Sequence, residues 1–391
     1  MSGDEPVAAP ATGQIRLAYL DGVRALAAGY VVLHHIWFTV YPEYPRNTGP
    51  AALGWLVYGH LAVAVFIVVS GFSLTIAPAR RGYRLGGVLR FIRRRAWRIL
   101  PPYWAALALS ALVFGLLTPQ LTGSAITAKG VVVHALLLQD VIDSAKPNGA
   151  FWSIAIEWQI YFLFPLVLLA RRRTGVVPTV AVACGAVVLA QVLAGTYPAL
   201  QGLTNLTPQF FALFVLGSAS AAVVHRPRAP RGAAAAGAAG FAAFAVLAWA
   251  QGPVWVDRHY FSIDLFIGVA TAALLAGLSQ GQLRALRSVL SSRPLTVTGA
   301  YSYSIYLVHL PLLWLVGHFV VDVVTEDAVT RFVLLLLLGV PAVLVGSYGF
   351  HVLFERPFLQ HRSLKSLRDN GFRGAPLSIT PRGRRARARA S

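Results

Sequence analysis

Residues 52–98 read ALGWLVYGHLAVAVFIVVSGFSLTIAPARRGYRLGGVLRFIRRRAWR, and the first 26 of them, 52–77, contain no Asp, Glu, Lys or Arg. A helix crosses the hydrocarbon of a bilayer in roughly 20 apolar residues, so this run is long enough to span. Eight arginines then crowd between Arg80 and Arg98, and an apolar run resumes at residue 100. A crossing, a burst of positive charge and a second crossing form the pattern of a polytopic membrane protein.

Composition agrees. Of 391 residues, 57% are hydrophobic and 12% charged, about half the charge of an ordinary soluble domain (roughly 25%). The hydrophobicity excludes whole-chain disorder, and the single cysteine, Cys184, excludes a disulfide scaffold. One Cys with ten scattered His also argues against a structural zinc site or an iron–sulfur cluster. The net charge of +20 invites a nucleic-acid reading, but the basic residues sit in bursts between apolar runs rather than on one soluble face. No nucleic-acid partner is expected.

Working outward, segments at about 22–41, 52–77, 100–118, 150–170, 176–195, 207–225, 233–251, 260–280, 299–320 and 329–353 can span. The expectation is an all-α bundle of about ten transmembrane helices. With the N-terminus inside, 28 of the 34 Lys and Arg fall on the cytoplasmic side. Only Arg46, Lys129, Lys146 and Arg258 fall outside, while Arg24 and Arg331 lie within segment ends. That asymmetry places both termini in the cytoplasm. Residues 1–15 lack the pattern of a signal peptide and are expected to be a disordered tail before a retained first span. One membrane domain is expected over 16–358. The basic tail 359–391, ending GRRARARAS, is expected to be disordered, cytoplasmic and attracted to anionic headgroups. In the outer loop 119–149, Val131–Asp140 is too short to cross and predicts a re-entrant or interfacial helix. The Ala-rich segment 233–251 is the weakest span.

Titratable side chains inside spans are costly and are functional candidates by default. The first span carries Arg24, His34 and His35. At 100° per residue Arg24 and His35 share a face about 16 Å apart, and His34 lies off it. Glu157 falls at nearly the depth of His35, with Ser153 and Tyr161 at i−4 and i+4 on one polar stripe. His35 is the expected partner of that carboxyl. Ser302, Tyr306 and His309 share a face of the ninth span, either as catalytic parts or as interhelical hydrogen-bonding groups. Asp264 reads as interfacial, and His60, His134 and His318 are given no role. The stretch FIRRRAWRILPPYW, Phe91–Trp104, reads as a cytoplasmic loop that sets orientation. Its guanidinium groups beside Trp97 also suit phosphate contacts and stacking on adenine.

Six stretches, in order, resemble the motifs of acyltransferase family 3, the integral-membrane O-acyltransferases. LDGVRALAAGYVVLHH (Leu20–His35) has an Arg, ten residues, then a His, which selects Arg24 and His35 and includes Asp21. FIVVSGF (Phe66–Phe72) holds Ser70 and Gly71, and RRAWRILPPYW (Arg94–Trp104) is the arginine-rich segment. FWSIAIEWQIYFLFP (Phe151–Pro165), SYSIYLVHLP (Ser302–Pro311) and FERP (Phe354–Pro357, with Glu355) complete the set. The match covers about residues 17–358. Trp158 follows Glu157 where many relatives carry a second acidic residue, so no second-carboxylate role is carried over. The short tail after FERP suggests the single-module branch, without an extracytoplasmic hydrolase-like domain.

The resemblance implies transfer of an acyl group, acetyl by expectation, from cytoplasmic acyl-CoA to a hydroxyl of a sugar-containing acceptor. Cell-envelope glycans, glycolipids and glycosylated secondary metabolites such as macrolides are acceptors of that family. Acyl-CoA would be a co-substrate, with no permanently bound cofactor or metal, and the location a cell membrane, the bacterial inner membrane by expectation. An alcohol attacking a thioester needs a base, and His35 is the expected one, with Glu157 orienting it or stabilising the imidazolium. An acyl-imidazole on His35 is the second mechanism. Arg24, Arg94, Arg95 and Arg98 are expected to hold the CoA phosphates, the roughly 16 Å from Arg24 to His35 matching a pantetheine arm. The rival class is a proton-coupled transporter or flippase, in which intramembrane His and Glu would look the same. The sequence has no matching broken helices in two halves, which weighs against it.

Overall fold

The computed structural model describes residues 17–117, 126–225 and 231–361. Among the described residues there is no strand. Nine helices there are long and apolar enough to cross a membrane, and a bent pair supplies a tenth. The spans are α1 (Ala18–Val40), α2 (Ala51–Ala79), α3 (Val88–Leu117), α4 (Gly149–Thr174) and α5 (Val176–Thr196). After them come α6 (Pro198–Leu206 with Gln209–His225, bent by 41°), α7 (Ala233–Gln251), α8 (Tyr260–Ser279), α9 (Ser302–Val324) and α10 (Ala328–Gln360). The expected tail 1–15 and all of the basic tail after residue 361 lie outside the described residues.

Two segments differ from the sequence reading. The expected loop Phe91–Trp104 is helical, because α3 begins at Val88 and runs through Pro101 and Pro102. Arginine is a good helix former, and a helix that leaves the bilayer keeps its hydrogen-bonding pattern while its side chains turn polar. Counting apolar residues therefore finds the crossing and misses its polar extension. Likewise the α3–α4 connection contains an eight-residue helix, Ala128–Ala135, that starts earlier than expected and is capped by Thr127, whose Oγ1 accepts from Gly130 N at 3.0 Å. It is pinned to α3 by the Tyr103 hydroxyl donating to His134 O and the Trp104 indole donating to Ala135 O, both at 2.9 Å.

The bundle is drawn together where small residues let backbones touch. A Cβ on Gly71 of α2 would lie 2.0 Å from Phe214 O, and one on Gly217 of α6 would lie 2.0 Å from Val68 O. Gly71 of the SGF motif is therefore a packing residue, and its neighbour Ser70, 100° around the helix, lines the central cavity. Helices α2 and α8 are the most enclosed, whereas α5 and α7 sit at the periphery with side chains such as Val182 and Trp249 exposed. At the centre α1, α2, α3, α4 and α9 separate around a cavity lined by charged, hydroxyl and apolar side chains.

Candidate active site

The cavity holds about 260 Å³. Helix α1 contributes Arg24; α2 contributes Val63, Phe66, Ser70 and Ser73; and α3 contributes Arg95, Arg98 and Ile99. From α4 come Ser153, Glu157, Trp158 and Tyr161, and from α9 come Ser302, Tyr303 and Tyr306. On α2, α3, α4 and α9 these positions follow the three- and four-residue spacing of one helix face, so each of these helices turns one face to the cavity.

At the arginine-rich end, Arg24 Nη1 donates to Asp21 Oδ1 at 3.0 Å and Nη2 donates to Ser73 Oγ at 2.8 Å. The head group is thus fixed on two sides. Arg95 enters from α3 with its guanidinium 5.9 Å from the Phe91 ring centre, and its buried Nε has no hydrogen-bond partner among the described residues. Arg98 completes the set. Arg94, expected with them, does not line the cavity and is exposed. It lies 100° around the helix from Arg95, whereas Arg98 is only 60° off. Trp97 also turns away, its indole donating to His361 O at 2.7 Å.

Glu157 lies in the cavity with Arg24 and Arg95 and accepts a hydrogen bond from the Tyr161 hydroxyl. Tyr161 in turn lies 3.2 Å from Ser70 Oγ. The expected stripe Ser153–Glu157–Tyr161 is real and lines the cavity. At the far end the Tyr306 hydroxyl lies 2.9 Å from Ala150 O and 2.6 Å from Ser153 Oγ. A carbonyl can only accept, so Tyr306 donates to Ala150 and Ser153 donates to Tyr306. Phe66 meets Tyr306 edge-on at 6.2 Å at this end.

His309 sits one turn further along α9, its ring 5.8 Å from that of Tyr306. Its Nδ1 lies 2.8 Å from Tyr306 O, and its Nε2 lies 3.2 Å from His35 Nδ1. His35 Nδ1 is also 2.8 Å from Val31 O. The backbone carbonyls fix both tautomers, so each Nδ1 carries the proton and each Nε2 a lone pair. The His35 N–H is shared between Val31 O and His309 Nε2. That leaves His35 Nε2 as a base without a partner among the described residues, on a half-buried ring.

The structure therefore corrects one pairing. Glu157 is bonded to Tyr161 inside the cavity, and His309 is the hydrogen-bonded neighbour of His35. Equal depth along two helices does not fix how far around each axis the side chains point. His35 itself is not among the residues on the cavity wall, while Arg24, eleven residues earlier, is.

The remaining candidates are structural. Glu355 of FERP is buried and bonded to Ser304 Oγ at 2.6 Å and to His351 Nδ1 at 2.8 Å, tying α10 to α9. The helix widens to a π-turn over His351–Glu355, which brings these two side chains together. Asp264, expected at the interface, is buried instead, 3.1 Å from Gln209 Nε2 and 3.8 Å from His60 Nε2. Ser73, Tyr303 and His351 were not singled out by sequence. Ser73 was within reach, standing one helical turn after Ser70.

Comparison with known proteins places the chain in a family. A family model described as an acyltransferase domain matches residues 17–352. The chain is 28% identical over 315 residues to the acyltransferase MdmB of Streptomyces mycarofaciens, covering 75% of this chain and 78% of that protein. It is 30% identical over 161 residues to the O-acetyltransferase OatA of Staphylococcus aureus, covering 38% of this chain and 24% of that protein. It is 28% identical over 325 residues to YrhL of Bacillus subtilis, whose name assigns it provisionally to peptidoglycan O-acetylation, covering 75% of this chain and 48% of that protein. No solved structure matches the chain significantly.

Proposed function

Since the chain belongs to acyltransferase family 3, its domain filling residues 17–352, and is a multi-pass O-acyltransferase, we propose that it moves an acyl group, acetyl first among them, from acyl-CoA to a hydroxyl of a sugar-containing acceptor. The arginine-rich face is cytoplasmic in this reading, and the membrane is the bacterial inner membrane. The name of YrhL supports a glycan acceptor. The observation that carries the proposal is an alignment of two groups along one axis of the bundle. Arg24, held by Asp21 and Ser73, stands with Arg95 and Arg98 on the cavity wall, and His35, bonded to His309 one turn past the cavity-lining Tyr306, stands beyond it.

The phosphates of acyl-CoA pair with Arg24, Arg95 and Arg98, since planar guanidinium groups match phosphate oxygens. The pantetheine arm enters the cavity, and the thioester arrives past Phe66 and Tyr306. His35 Nε2 takes the proton of the acceptor hydroxyl as its oxygen bonds to the thioester carbonyl carbon. The carbon–sulfur bond then breaks, and the imidazolium returns the proton to the leaving thiolate. Ester and free thiol are the products, so atoms and charge balance. Val31 O and His309 Nε2 hold the ring, the part that an acid plays in a triad. Glu157 acts on the donor side, where it balances the arginines and fixes Tyr161.

The test is purified protein in liposomes with radiolabelled acetyl-CoA and a panel of glycan and glycoside acceptors. Label entering an acceptor, and only with the protein present, is expected. Flux of an unmodified substrate with no ester formed would overturn the proposal.

A further inference from the structure

Beyond the histidine pair, on the side away from the arginines, lies a ring cluster that the transfer chemistry does not use. The His34 ring is 5.0 Å from that of His35, 6.3 Å from Phe38 and 6.2 Å from Tyr44. Phe38 and Tyr44 are 6.1 Å apart. One turn earlier on α1, Tyr30 stacks on Trp55 at 5.6 Å with the rings 10° from parallel. Phe38, Tyr44 and Trp55 are 41%, 39% and 50% exposed. The Tyr44 hydroxyl donates to Asp257 Oδ1 at 2.9 Å, which brings a carboxylate from the α7–α8 connection to the same rim.

His34 repeats the tautomer of His35. Its Nδ1 lies 2.9 Å from Leu56 O and so carries the proton, leaving an Nε2 lone pair. Gly59 makes room for this ring, since a Cβ there would lie 2.2 Å from His34 Cβ. Neither Nε2 is sealed among the buried unpartnered atoms. Two adjacent acceptors and a carboxylate thus lie beside three exposed aromatic rings.

We propose that this rim is the acceptor subsite and that its ligand is a sugar ring. The apolar C–H face of a pyranose stacks on Phe38, Tyr44 or Trp55, which offer rigid apolar area. Asp257 accepts from the sugar's hydroxyls, and His34 accepts from the hydroxyl next to the one that meets His35. The proposal deepens the O-acyltransferase reading and rests on it. Exposed aromatics also line membrane–water interfaces. An interfacial belt, however, has no need of a carboxylate tied into the aromatic cluster or of two open imidazole lone pairs.

The test uses the full chain in nanodiscs with chitotetraose as the soluble glycan probe, comparing wild type with Trp55→Leu and Asp257→Asn. Trp55→Leu keeps the apolar character that a belt needs. Saturation-transfer NMR is expected to show probe binding to wild type, weakened about tenfold in each variant, the size of one lost hydrogen bond or ring contact. Label transfer to the probe should show a raised acceptor KM with kcat and acetyl-CoA KM unchanged. Equal binding by all three proteins, or none by wild type, overturns the subsite. Wild type that binds the probe normally but transfers no label to any acceptor sinks the transferase reading and leaves the subsite standing.

Discussion

His309 Nε2 stands 3.2 Å from His35 Nδ1, and each ring is held by a carbonyl of its own helix, Val31 O for His35 and Tyr306 O for His309. Two helices far apart in sequence thus present one imidazole lone pair outward and use the other to hold the first ring. If His309 positions His35, then His309→Gln, which keeps a hydrogen-bonding amide, should retain more activity than His309→Ala. A kcat loss of about tenfold is expected for Gln and about a hundredfold for Ala, within the range of a general-base contribution. The KM for acetyl-CoA should stay at the wild-type value in both. Equal losses in the two variants would assign His309 to packing alone.

Arg24 is held by Asp21 and Ser73, so Ser73→Ala removes one of its two anchors. A hydrogen bond to a charged group contributes about 1.5–3 kcal/mol. Acetyl-CoA KM should rise about tenfold, with kcat nearly unchanged, in steady-state assays. Arg24→Lys should be no rescue, because one ammonium cannot reproduce the fork.

Glu355 joins α9 to α10 through Ser304 and His351 inside the bundle. Removing one member of a buried pair typically costs about 3–5 kcal/mol. Glu355→Ala should therefore lower the thermal midpoint in detergent sharply, whereas the KM values of whatever folds should stay near wild type. An unchanged midpoint with a raised KM would move Glu355 into the site.

Gly71→Leu should separate α2 from α6, since even a Cβ there would lie 2.0 Å from Phe214 O. Overpacking of this kind costs about 1–3 kcal/mol. Because Ser70 and Ser73 share that helix, donor binding should weaken along with the fall in melting temperature. Intact stability and intact donor KM would show that the crossing adapts.

Asp140, in the α3–α4 connection outside the spans, is pushed up to about 7 by burial, which Lys146 partly offsets. The unfolded carboxyl releases its proton near the usual value of about 4, and the folded one holds it until about 7. Stability is therefore expected to fall as pH rises from about 4 to about 7 and to level off above. Asp140→Asn should remove that decline, read as thermal midpoints across the pH series. A parallel decline in the variant would assign the effect to another group.

Much of the fold was legible because a bilayer imposes one length on every crossing. The ten apolar segments and the arginine bursts needed no partner to be recognised. The helical start of α3 at Val88 was not legible, because a helix outside the bilayer no longer has to be apolar. Within the site, helical spacing gave the faces correctly, and Ser153, Glu157 and Tyr161 do line one wall. Pairing across helices was not legible. Glu157 was matched to His35 by depth, yet rotation about the helix axes turns Glu157 to the arginines and His309 to His35. Asp264 read as interfacial because its buried partner Gln209 lies 55 residues away on another helix.

The most direct measurement is the rate of labelled acetyl transfer to a glycan acceptor by His35→Ala, with acetyl-CoA binding followed in the same preparation. A loss of about 10²–10⁴-fold in rate with donor binding retained is expected, the scale of removing a general base. Transfer by His35→Ala at the wild-type rate would contradict the role given to this imidazole.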